Sequence, residues 1–123
     1  MRDINVIVLM GQTLTDVTVG DDRIDFKTSN GKSYLMWHEQ DCCESVRIES
    51  IKGDLNNLVG TPIVDVIEDI SNDFPADIPT PEYRESDTFT TFTFMTAKGI
   101  VVIRWWGSSN GYYSESVNFQ ETT

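Results

Sequence analysis

Two tight turns set within alternating residues constrain this chain more than any other feature. Ile24 and Phe26 alternate with charged neighbours over residues 23–27, Asn30-Gly31 follows, and residues 33–38 resume an extended run. Residues 88–97 and 100–106 repeat that plan around Lys98-Gly99. Alternation with period two turns one face of each run toward a core and the other toward water, and Asn-Gly suits the positive φ values of a two-residue hairpin. The chain therefore reads as mainly β.

Further strands are expected over residues 14–19, 46–51, 61–70 and 113–121, making about eight antiparallel strands in a barrel or a sandwich. Asp3 with Gly11 frames a short helix over residues 4–10, and Asp54 with Gly60 frames a second, which makes the class α+β. Pro75, Pro79 and Pro81 among many acids mark residues 71–87 as a loop. A chain of 123 residues supports one core, so residues 1–123 read as a single domain.

The second half echoes the first. The run from Leu9 to Val17 matches that from Leu58 to Val66; Ile24, Phe26, Gly31 and Trp37 recur at one offset as Phe92, Phe94, Gly99 and Trp105; Glu44-Ser45-Val46 returns as Glu115-Ser116-Val117. Matches in one shared order predict two copies of a helix-plus-four-strand unit, at about residues 4–51 and 54–121. Phe26 and Phe94, Trp37 and Trp105, and Val46 and Val117 should then occupy equivalent buried positions.

Charge narrows the partners. Nine basic against 20 acidic residues give a net charge of -11, which argues against direct contact with nucleic acid or an anionic membrane and favours a basic protein. Eight acids lie between Asp65 and Asp87 against one base, Arg84. Such a run is ordinarily a solvated face, but in a small protein it also imitates phosphate spacing. Asp65, Glu68, Asp69, Asp73 and Asp77 are therefore candidate partner contacts; the face that carries Trp106 is expected to be covered by a neighbouring element, and where it is not, Trp106, Tyr112 and Tyr113 are rigid aromatic anchors. No apolar run approaches the roughly 18 residues of a membrane span, and the N-terminus lacks a signal pattern, so the expected location is the cytoplasm.

The only histidine and both cysteines fall together. His38, Asp41, Cys42 and Cys43 supply donors of suitable type for one tetrahedral zinc, which with four protein ligands would be structural. Adjacent cysteines sit too close for ordinary disulfide geometry, which leaves only a strained vicinal ring, so free thiols or metal ligands are expected instead. The plainer alternative is inert thiols beside a hydrogen-bonded histidine. Counting back along the strands from Val46 and Val117 turns Glu44 and Glu115 inward, as pocket acids. They read either as strand-end acids held by loop amides or as a converging acid/base pair. No nucleophile, phosphate loop or second histidine supports the pair, and no enzyme is expected.

The blocks HEQDCCESV (residues 38–46), GDLNNLVGTPI (53–63) and RWWGSSNGYYSESV (104–117) resemble a small family of uncharacterised phage and prophage proteins, a domain of unknown function covering most of the chain. The resemblance implies a phage accessory protein. Small acidic prophage proteins of this type include anti-CRISPR inhibitors, some of which look like metalloproteins acting on type II RNA-guided nucleases. The function expected on that basis is inhibition of a host defence nuclease in the bacterial cytoplasm, with an acidic surface blocking nucleic-acid loading. Two alternatives stand beside it: a module sequestering a small molecule near Glu44, Glu115, Tyr112 and Tyr113, and a small metal-dependent enzyme. The family supplies no catalytic residue to carry over.

Overall fold

The computed structural model describes residues 3–123. Its strands, in chain order, are β1 (Leu14–Gly20), β2 (Arg23–Thr28), β3 (Ser33–Trp37), β4 (Ser45–Lys52), β5 (Ile63–Ser71), β6 (Ser86–Thr96), β7 (Gly99–Ser109) and β8 (Asn118–Glu121). They form two four-stranded sheets, ordered β1-β2-β3-β8 and β4-β7-β6-β5, and every strand pair is antiparallel. The sheets are separate layers over one core, as in a sandwich, and do not close into a barrel. No described helix is long and apolar enough to cross a membrane.

The alternating residues meet between the layers. Phe26 of β2 and Phe94 of β6 lie 5.9 Å apart between ring centroids, and the Trp105 indole N–H of β7 points at the Met36 sulfur of β3 at 3.3 Å. Leu9, Ile24, Phe26, Met36, Phe94, Ile103 and Trp105 are wholly buried. Each large apolar side chain so removed from water stabilises the fold by roughly 1.5–3 kcal/mol before chain entropy is charged against it.

Helix is nearly absent. The two expected helices are single 3-10 turns, Val6–Leu9 and Leu55–Leu58. The first is capped by Asn5, whose side chain accepts from the Ile7 amide at 3.0 Å; Asp3 instead receives the side-chain amides of Asn118 and Gln120. The run Val6-Ile7-Val8 is β-branched, and its buried residues, Val6 and Leu9, stand three apart, which suits one 3-10 turn better than an α-helix.

The two halves are not self-contained helix-plus-four-strand units. β4 leaves its own half to pair with β7, and β8 crosses to pair with β3. The expected equivalence of Trp37 and Trp105 also fails. Phe26 and Ile24 pair with Tyr34 and Met36, whereas Phe94 and Phe92 pair with Val101 and Ile103, so the two hairpins differ in length by one residue. A one-residue difference moves a side chain to the opposite face. Trp105 is buried in the core, while Trp37 is half-buried on the other face with its indole N–H bonded to Gln120 at 3.0 Å.

The proline-rich loop between β5 and β6 folds back over the outer face of the second sheet. Phe74 stands edge-on to Phe89 and Trp106, with centroids at 5.1 and 5.5 Å. Arg104, on the same face, is held by Asp77 through two bonds of 3.2 and 2.7 Å and by Glu49 at 2.8 Å.

Candidate functional site

The odd loops gather at one end of the molecule, where β3 ends, β4 begins and β7 runs out toward residues 110–117. His38 closes this corner. Its Nδ1 lies 2.7 Å from the Ser116 carbonyl oxygen and its Nε2 lies 2.8 Å from Glu44 Oε2. A carbonyl only accepts, so Nδ1 is the donor there, and Nε2 is left facing the Glu44 carboxylate. Glu44 also accepts from the amides of Asp41 at 2.8 Å and Cys42 at 2.9 Å. Burial pushes the Glu44 carboxyl up, but the two amides and His38 together outweigh it and hold the group down at about 2.

This geometry does not gather the four proposed zinc donors. The His38 ring is spent on Glu44 and Ser116, Asp41 contributes its backbone amide, and Cys42 and Cys43 are bonded to each other. The cysteines, expected as thiols, form a vicinal disulfide in a bend, where the chain has left the extended conformation that would send neighbouring side chains to opposite faces. Among the described residues, no group of three or more His, Cys, Asp or Glu side chains is placed to hold a metal.

Glu115 precedes β8 as Glu44 precedes β4, and both are buried. Their surroundings differ. Glu115 accepts from the Thr88 hydroxyl at 2.7 Å and from the Ser109 hydroxyl, and it has no ion pair among the described residues. It lines a cavity of about 320 Å³ with Glu68, Ile70, Thr90, Tyr113 and Val117. The two glutamates thus have separate partner sets rather than sharing a proton as an acid/base pair.

A second cavity, of about 700 Å³, opens on the outer face between the Pro81–Asp87 segment and Trp106, with Cys43 and Asn110 at its rim. Asp87 accepts from the Trp106 indole N–H at 2.8 Å, and Arg47 lies 4.6 Å over the Trp106 ring. Trp106, a candidate anchor only if no neighbouring element covered its face, is in contact with Phe74, Phe89, Arg47 and Asp87. Tyr112 is 88 % exposed, and Tyr113 is half-buried at the smaller cavity.

The acidic run splits in two. Asp77 and Asp87 are tied to arginines, and Asp65 accepts from the adjacent Val66 amide at 2.9 Å. Glu68, Asp69 and Asp73 are exposed and form no ion pair among the described residues. Sequence reasoning missed Glu49, Thr88 and Ser109 as partners of Arg104 and Glu115. Thr88 and Ser109 sit on neighbouring strands some 27 and 6 residues from Glu115, and only the sheet register brings them together.

The model of one protein family, Domain of unknown function (DUF7448), matches residues 8–119. No curated protein and no solved structure matches the chain.

Proposed function

From the premise that the chain belongs to the DUF7448 family, we propose that it is an interaction protein that docks on a basic surface through β5 and the loop that follows. One observation carries the reading. β5 is the terminal strand of its sheet; its exposed Ile67 and Asp69 share one face, Glu68 and Ile70 share the other, and the strand leads on to the exposed Asp73. Apolar side chains rimmed by uncompensated acids suit a protein partner rich in Lys and Arg. Such a surface also repels nucleic acid and anionic lipid.

The specific target we propose is a host defence nuclease of the type II CRISPR class, whose basic groove the acids would fill in place of nucleic acid. That step rests on the likeness to phage and prophage proteins and places the complex in the bacterial cytoplasm. Binding to such a purified nuclease, measured across a salt series with and without guide RNA, tests it. Affinity should fall roughly tenfold or more as salt rises, guide RNA should compete, and a folded Asp69→Lys/Asp73→Lys variant should lose binding. Binding indifferent to salt and to the variant would remove the acidic surface from the account; no binding at all would remove the nuclease.

A further inference from the structure

The two Glu-Ser-Val corners solve the same electrostatic problem differently. A buried carboxylate needs compensation, because desolvation penalises the charge unless donors and an opposite charge replace water. Glu44 has two backbone amides and an imidazole. Glu115 is 8 % exposed, has two neutral hydroxyls and no cationic partner among the described residues, and borders a cavity instead. Among the described residues, no Lys or Arg lines that cavity.

We propose that the cavity beside Glu115 binds an organic cation, a primary ammonium or a guanidinium carried on a short alkyl stem. Glu115 takes the charge, and Glu68 of β5 lines the same cavity. The Thr90 hydroxyl offers a further acceptor, while Ile70, Val117 and the Tyr113 ring supply apolar walls for the stem. A volume of about 320 Å³ is at the small end of ligand cavities and has room for a lysine- or arginine-sized group. This inference does not depend on β5 docking to a partner, and failure of either leaves the other standing.

The test uses the intact protein in amide-resolved NMR titrations with n-butylammonium, n-butylguanidinium and the neutral n-butanol. The cations should give saturable shifts at Thr88, Thr90 and residues 113–117, and butanol should not. Glu115→Gln keeps an acceptor for one hydroxyl and gives the other an N–H to accept from, while removing the charge, and should weaken cation binding roughly tenfold or more. Glu68→Lys, at an exposed position, should do the same by placing a tethered ammonium in the cavity, and so keeps the test open if Glu115→Gln unfolds. A capped Gly-Lys-Gly peptide that binds tighter than butylammonium identifies the source as a partner's side chain; the reverse order identifies a free amine. Equal shifts from butanol and the cations, or unchanged binding by a folded Glu115→Gln or Glu68→Lys variant, would overturn the assignment.

Discussion

Gly107 lies directly beneath Glu115: a Cβ built on Gly107 would stand 2.7 Å from the Glu115 carbonyl oxygen and 2.8 Å from its Cβ. Only a residue without a side chain lets residues 114–117 lie against β7 and hold the carboxylate between Thr88 and Ser109. Gly107→Ala should therefore lift this segment, costing about 1–3 kcal/mol in thermal or urea unfolding. Amide shifts should concentrate at Thr88, Ser109 and Glu115, and a uniform loss of stability with those signals unmoved would contradict the relationship.

The His38–Glu44 pair makes the fold sensitive to acid in a definite direction. Glu44 is held at about 2 against an ordinary value of 4.5, so its stabilising contribution is complete above pH 4.5 and is lost as pH falls toward 2. Glu44→Gln should melt below the parent at neutral pH, and the gap should close across that window. A gap that stays constant from pH 6 to pH 2 would mean that the carboxylate's charge is not what stabilises the corner.

Phe74 and Asp77 pin the proline-rich loop to the outer face of the second sheet. Phe74→Ala should cost about 1–3 kcal/mol, less than a fully buried phenylalanine because Phe74 is only half-buried, and should expose residues 75–85 to limited proteolysis. Asp77→Lys should destabilise the loop by placing like charge against Arg104, whereas Asp69→Lys and Asp73→Lys should leave the melting temperature close to the parent's. Equal melting of all three would remove Asp77 from the loop's anchorage.

Cys42 and Cys43 are exposed, so the Cys42→Ser/Cys43→Ser protein should unfold within about 0.5 kcal/mol of the parent. Zinc on His38, Asp41, Cys42 and Cys43 would require free thiolates and a His38 ring turned from Glu44. Elemental analysis of untagged protein, oxidised and reduced, is expected to find less than one metal per chain. Stoichiometric zinc in the reduced form, with a chelator lowering the melting temperature, would establish a centre that this conformation does not hold.

Local pattern was enough to locate most strands, because period-two burial is written residue by residue: Ile24, Phe26, Phe92 and Phe94 announce their inward faces without reference to anything distant. It was also enough to turn Glu44 and Glu115 inward, since each is counted from the strand that follows it. Pairing was not legible. Nothing in the stretch from Ser45 to Lys52 says that it joins β7 rather than β3, and that choice is made by which edge completes the core. A single residue of hairpin length decided that Trp105 is core and Trp37 is not, though the two stand at matching positions in the sequence. The partners of Glu115 were likewise set by the tertiary structure alone, whereas Glu44 takes the loop amides its sequence position suggested, with His38 six residues away. A carboxylate is satisfied by whatever donors the fold delivers, and the register of β6 with β7 brought Thr88 and Ser109 to Glu115, beside an open cavity.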